Sequence, residues 1–378
     1  MFLKPLITEF GWERGSLSGA FSLAFLIGGG LSLISGRLSD RYGPRILVTA
    51  AGLSLGTGFL LMSQVSSLWQ VYLVWGFLAA IGIGCSVTPL SSTIPRWFSR
   101  RRGLAVAIPI TGFSVGAVIA PLLIQSLISA YDWRRAFFVL GFIPFLITVP
   151  LAQFLKRDPQ ELKLSASGDV GLSETDPPAV SDVTAPSFSQ VIKTVRFWVF
   201  GFMQFSFGFC MQTVIVHINP HATDVGLSAI TAAGILSVVA GIRIIGNLGI
   251  GFLSDRIGSR IALTGCLSLF TLSLVWLFFA EESWMFYVFA VAFGLATGGI
   301  IPLLTMVPAE LFGVRLLGAI IGSFFLFGTS GGALGAPSAG LIFDTSGSYK
   351  LAFGIDIIIG LLAVTLSLVL LRYKGKTK

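Results

Sequence analysis

Arg243 is the one basic residue in the middle of an apolar run, the stretch near 231 to 253. A cation among some twenty apolar residues is costly unless it faces a cavity, a ligand or a counter-charge. A guanidinium in that position offers a planar fork of donors, the geometry that holds a carboxylate bidentately. The other reading of Arg243 is a buried ion pair that locks neighbouring helices together. Asn247 follows at i+4 on the same helix face, so both side chains can reach one ligand. Gln204 and Gln212, eight residues apart, roughly share a face of an earlier run and are candidates to line the same path. Asp356 lies inside the last apolar run and is a candidate proton carrier or partner for Arg243; nearer the end of its helix it would simply reach water. His217 joins it as a candidate for proton coupling, because imidazole changes charge near neutral pH, with an interfacial packing role as the alternative.

The elements that must position these residues follow from composition. Of 378 residues, 54% are apolar and 11% are charged, whereas a soluble domain carries about a quarter charged residues. The apolar residues fall into runs of about twenty, the length a helix needs to cross about 30 Å of hydrocarbon. The 45 glycines, and the lack of alternating ten-residue segments, favour packed helices over an outer-membrane barrel. Runs near 16 to 37, 46 to 65, 69 to 93, 104 to 124 and 136 to 155 make five spans in a first bundle, residues 1–155. Runs near 197 to 217, 231 to 253, 261 to 280, 284 to 307, 317 to 342 and 351 to 371 make six in a second bundle, residues 196–378. Between them, residues 156–195 are rich in Ser, Pro, Asp and Thr and read as a flexible linker. With that linker and the C-terminus on the cytoplasmic side, only Lys4, Arg14, Arg134, Arg135 and Lys350 of the loop cations lie outside, as the positive-inside rule requires. The formal net charge of +8 is therefore a topology signal and not a nucleic-acid footprint. Cys85, Cys210 and Cys266 each sit in an apolar run and read as small packing residues, with no metal site or disulfide framework. The N-terminus has no signal-peptide architecture.

The chain repeats itself. Gly36–Arg45, GRLSDRYGPR, recurs as Gly251–Arg260, GFLSDRIGSR, with seven of ten positions identical at an offset of 215. Thr111–Pro121 recurs as Phe327–Pro337 with six of eleven identical at an offset of 216. Parallel repeats of this kind build many secondary transporters, with the substrate at the interface near the midplane. Positive-inside topology explains Arg41, Arg45, Arg256 and Arg260 of the repeated loop but not its aspartates, Asp40 and Asp255. Gly112, Gly116 and Pro121, with Gly328, Gly332 and Pro337, are expected to let helices approach and bend. The offset aligns Met1 with the outer end of the first span of the second half. The expectation is therefore a twelve-span design of which eleven are present, the first helix being missing through a truncated gene model or real loss.

The duplicated Gly-x-Leu-Ser-Asp-Arg-x-Gly-x-Arg loop resembles the signature loop of the major facilitator superfamily. That resemblance implies that Asp40, Arg41 and Arg45, with their repeats Asp255, Arg256 and Arg260, form a conformational latch through charge contacts with neighbouring helix ends. Phe10–Arg14, Trp97-Phe98 followed by Arg100–Gly103, Asp132–Phe137 and Asp344–Tyr349 resemble the monocarboxylate porter and oxalate:formate antiporter group. The resemblance covers nearly all of the chain except the linker. It implies an all-α membrane fold of two pseudo-symmetric helical bundles in the cell inner (plasma) membrane. It also implies transport of small organic anions, with protons or a counter-anion as partner and no cofactor. In that group the substrate arginine stands eight residues before the loop acid. Asn247 occupies that place here, and Arg243 sits one turn further along. No Walker loop, metal-spaced cluster or nucleophile elbow is present, so an enzyme is not expected. An exporter of drugs or other small metabolites, and a membrane receptor or scaffold, are the rival readings.

Overall fold

In a computed structural model of the chain, the described residues are 2–12, 14–98, 101–158 and 187–372, and nearly all of them are helical. Residues 159–186 of the expected linker lie outside the described residues, as do Glu13, Arg100, Lys374, Lys376 and Lys378. A short helix α1, Leu3–Phe10, precedes α2, Arg14–Tyr42, and α3, Pro44–Met62. Next come α4, Leu68–Trp97, with a π-helical stretch at Val74–Ala79, and α5, Arg102–Ala130. α6, Trp133–Ala152, carries a second π-helical stretch at Pro144–Thr148. After the short α7, Phe188–Ile192, the second half runs α8, Val195–Asp224; α9, Ala229–Ile257; α10, Ser259–Phe278; α11, Ser283–Phe312; α12, Leu317–Ser346; and α13, Lys350–Arg372. Among the described residues ten helices are long and apolar enough to cross a membrane. The 29-residue α2, which contains the apolar run 16 to 37, stands beside those ten.

Sharp turns in the repeated loops separate the spans. α3 and α10 each begin at the glycine of the duplicated motif, Gly43 at φ 84° and Gly258 at φ 91°, a conformation in which a Cβ would be strained. Elsewhere side chains cap the helix starts. The Asp132 carboxylate accepts from the Arg135 N–H at 2.7 Å at the head of α6, and the Ser228 hydroxyl accepts from the Thr231 N–H at 3.1 Å at the head of α9.

The chain forms two compact units. The first comprises the described residues within 1–93, 116–164 and 316–326, and the second those within 94–115, 165–315 and 327–378. In the first unit α3 packs on α6 through small residues: a Cβ on Gly56 would sit 2.6 Å from the Phe145 ring, and one on Gly141 2.8 Å from Leu60. α1 closes one end by covering a core of Leu17, Met62, Val71, Trp133 and Phe137, with Phe2 stacked on Phe137 at 3.7 Å. Glu9 of α1 accepts from the Trp133 indole and from Arg134. Those hydrogen bonds, the indole's foremost, hold the Glu9 carboxyl below its ordinary value of 4.5.

In the second unit α9 and α11 lie backbone to backbone. A Cβ on Gly246 would sit 2.6 Å from the Leu295 carbonyl and one on Gly294 2.8 Å from that of Val239, while Gly298 abuts the Arg243 carbonyl. α8 and α12 meet in the same way, with Gly208 against the Gly328 carbonyl and Gly331 and Gly335 against those of Phe205 and Phe209. Small residues at such crossings let the backbones approach, and dispersion contacts then hold helices that gain little from the hydrophobic effect in lipid.

Candidate functional site

Arg243 and Asn247 occupy one face of α9, as their spacing predicts. Asn247 is wholly buried and donates from Nδ2 to the Ser114 hydroxyl of α5 at 3.0 Å. Its Oδ1 is buried with no hydrogen-bond partner among the described residues. Arg243 is half-buried, and its Nε likewise has no hydrogen-bond partner among them. An unpaired buried donor and an unpaired buried acceptor one turn apart are costly unless something else bonds to them. Gln204 is buried and Gln212 exposed on α8. Both border the α8–α12 contact, Gln204 beside Gly328 and Gln212 beside Gly332, while Asn247 bonds to α5.

Asp356, in α13, is 0% exposed, and neither carboxyl oxygen has a hydrogen-bond partner among the described residues. Cys210 of α8 donates to its backbone carbonyl at 3.5 Å. Two turns along α8, His217 contacts the Ala336 carbonyl through Nε2 at 2.8 Å and the Tyr349 hydroxyl through Nδ1 at 3.2 Å. A carbonyl only accepts, so Nε2 carries a hydrogen, and the Tyr349 hydroxyl meets Nδ1 on the other side of the ring. Burial, and then the nearby Asp224 and Asp344 carboxylates, push the Tyr349 phenol above its ordinary value, which keeps that donor in place.

The duplicated aspartates serve as helix caps. In the first unit the Asp40 carboxylate accepts from the Gly318 and Ala319 N–H groups at 2.9 and 2.8 Å, at the start of α12. In the second unit Asp255 accepts from the Gly103 and Leu104 N–H groups at 2.7 and 3.2 Å, at the start of α5. Each repeat thus caps a helix of the other, and the capped glycines, Gly103 and Gly318, are themselves repeat partners at the offset of 215. A carboxylate on unsatisfied N-terminal amides also lies at the positive end of the helix dipole. Gly36 and Gly251 let the backbones meet beside these caps, Gly36 against the Gly318 carbonyl and Gly251 against that of Gly103.

The motif arginines bond elsewhere. Arg45 donates to Gln153 Oε1 at 2.8 Å, Arg260 pairs with Glu310 at 3.6 Å, Arg41 lies over the Tyr42 ring and Arg256 over the Phe252 ring. Among the expected hinge residues, Gly328 and Gly332 border the α8–α12 crossing, Pro337 lies within α12 and Pro121 within α5. Methyl groups on Gly112 and Gly116 would meet no described atom within 4 Å, so the close approach is made by Gly208, Gly331 and Gly335 instead.

Sequence reasoning did not find the amide partners of the aspartates, nor Ser114, Tyr349, Gln153 or Glu310. Extending the repeat alignment to Gly103 and Gly318 marks the capped helices. The repeat marks Ser114, which matches Ser330, but its hydrogen bond arises only from a neighbour 133 residues away.

Two helical repeats, each carrying a loop aspartate that caps a helix of the other, define a polytopic membrane transporter. The chain belongs to the Major Facilitator Superfamily, whose sequence model matches residues 1–250 and 242–378. It is 31% identical over 343 residues to human monocarboxylate transporter 11, covering 88% of this chain and 70% of that protein. It is 28% identical over 359 residues to rat monocarboxylate transporter 13, covering 93% and 79%. The uncharacterized MFS-type transporter YcxA of Bacillus subtilis is 25% identical over 385 residues, covering 100% and 91%. Among solved structures, the E. coli fucose:proton symporter FucP superposes with a TM-score of 0.75 at 16% identity, covering 97% of this chain and 93% of that one, which shows the shared fold.

Proposed function

We propose that this chain carries small organic anions, monocarboxylates in the first instance, across the plasma membrane by alternating access, as a proton symporter or an anion exchanger. The observation that carries the reading is Arg243, a guanidinium in the middle of a membrane helix whose Nε has no hydrogen-bond partner among the described residues. A carboxylate would supply a counter-charge and an acceptor for that Nε. Asn247, one turn along, is the second contact, through the Nδ2 hydrogen not given to Ser114, and Gln204 and Gln212 line the path. The similarity to monocarboxylate transporters supports the same substrate class. The bundles of residues 1–155 and 196–378 move against each other, and the caps at Asp40 and Asp255 are made and broken as they do. The linker and C-terminus lie in the cytoplasm, where the loop cations are concentrated.

Uptake of labelled lactate, pyruvate, formate and oxalate into proteoliposomes, with and without a pH gradient, tests the reading. Arg243→Ala is expected to cut carboxylate uptake about tenfold to a hundredfold, the worth of a lost hydrogen bond to a charged group. Uptake of every carboxylate unchanged in Arg243→Ala overturns the anion-binding role.

A further inference from the structure

The buried carboxyl in the second turn of α13 is left without a task by the substrate contacts. Asp356 stands about 9 Å along α13 from its first residue, is 0% exposed, and has both carboxyl oxygens unpartnered among the described residues. A buried carboxylate without a counter-ion or a donor is costly, and an ionisable side chain retained inside a membrane helix is by default a functional one. Binding a proton removes the cost. The surroundings suit that exchange. Cys210 of α8 bonds to the Asp356 carbonyl, and Thr213 lies one turn along the same helix. Beside Thr213 is a cleft of about 150 Å3, bordered by Ser338, Ala352 and Ile355 and with room for about one water molecule. Ala352 is one turn before Asp356 on the same face of α13. Thr213 is in turn four residues before His217, which is bonded to Tyr349 at the head of α13. His217, Thr213 and Cys210 thus form a polar row along α8 that runs down to Asp356.

Among the described residues no charged group of the helices packed on it acts on this carboxyl, and the polar side chains turned to it are Cys210 and Thr213 of α8. α8 offers Cys210 and then His217 and His221, the last of which lies against the Phe353 ring at 5.0 Å. α10 brings Thr271 against Gly360 of α13, while its Cys266 faces Gly299 of α11 and its Arg260 pairs with Glu310. Lys350, at the head of α13, pairs with Glu281 at 3.7 Å.

We infer that Asp356 is a proton-binding site of the transport cycle, loaded from the end of the second unit where α13 begins, along the face of α8 that carries His217 and Thr213. The carboxylate takes one proton from water at that end, travels neutral with the substrate anion, and returns the proton to water on the other side. The inference rests on the reading of the chain as an organic-anion carrier and selects proton symport over exchange.

The test compares the full chain with Asp356→Asn in proteoliposomes, using labelled lactate and pyruvate. Accumulation driven by a pH gradient is expected to fall about tenfold in Asp356→Asn while counterflow without a gradient persists, because coupling is lost and the carrier is not. Gradient-driven accumulation equal to that of the unaltered chain overturns the inference. If the unaltered chain shows no carboxylate counterflow, the anion reading fails by itself, and the proton site is then read without substrate. Infrared difference spectra across a pH titration are expected to show a carboxyl C=O band that vanishes in Asp356→Asn, and a band unchanged or absent overturns the inference. Should Asp356→Asn not fold, Asp356→Glu is expected to shift the same band, and an unshifted band overturns it.

Discussion

A guanidinium in mid-helix and an aspartate at a helix end illustrate how differently a charge is handled inside and at the edge of a membrane. Arg243 must find its counter-charge in a ligand or a partner, and the shape of its fork matters. Arg243→Lys is expected to retain some carboxylate uptake but less than the unaltered chain, because an ammonium cannot make the bidentate contact; a saturation curve for each variant checks this. Asp40 and Asp255 instead find a positive partner in helix amides. Asp40→Ala and Asp255→Ala are each expected to cost about 1 kcal/mol, with Asn substitutions milder because Asn also caps; thermal unfolding in detergent measures both. Glu9 is a third case, exposed and tied to Trp133 and Arg134. Its carboxyl is held below 4.5, so its contribution to stability is present above pH 4.5 and is lost as the pH falls through the lowered value. Unfolding midpoints of Glu9→Gln and the unaltered chain are expected to differ at neutral pH and to converge in acid. Arg243, Asp40 and Asp255 were identifiable from type and spacing, but the contacts of Glu9, Ser114 and Tyr349 were not, because their partners are far away in sequence.

At the scale of helices, glycine is the residue that decides which faces touch. Gly331→Leu would drive a side chain into the Phe205 backbone and is expected to separate α8 from α12, with loss of folded protein in size-exclusion profiles. Gly112→Ala meets open space and is expected to leave the protein folded and to stabilise α5 by about 0.8–1 kcal/mol, the difference in helix propensity, seen as a higher unfolding midpoint. A fall in transport rate in Gly112→Ala, with stability raised, would show that bending at that glycine is used in the cycle. The two glycines read alike in sequence. They differ because α12 lies on α8 at Gly331, whereas no described atom reaches Gly112. Apolar length located the spans well, yet the π-helical stretches at Val74–Ala79 and Pro144–Thr148 had no expectation attached, since a one-residue widening of a helix leaves no periodic mark in so uniformly apolar a run.

Over the whole molecule, the repeat carries most of the meaning. A bilayer solvent allows only structures that satisfy their own backbone, so long uncharged runs leave little choice but helices, and the sequence by itself determined the all-helical membrane fold. The duplicated loop also showed that the chain is built from two repeats, because seven identities in ten recur at a fixed offset, and its resemblance to a signature loop pointed to the family. Tertiary structure alone decided what the loop aspartates hold. Their partners are backbone amides of helices 278 and 152 residues away, and an amide has no side chain by which a sequence could announce it. It likewise decided that Asn247 is spent partly on Ser114 and that Asp356 is wholly buried. Burial and pairing are properties of the surroundings, and in a chain whose every span is apolar the surroundings come from packing and not from the neighbours in sequence.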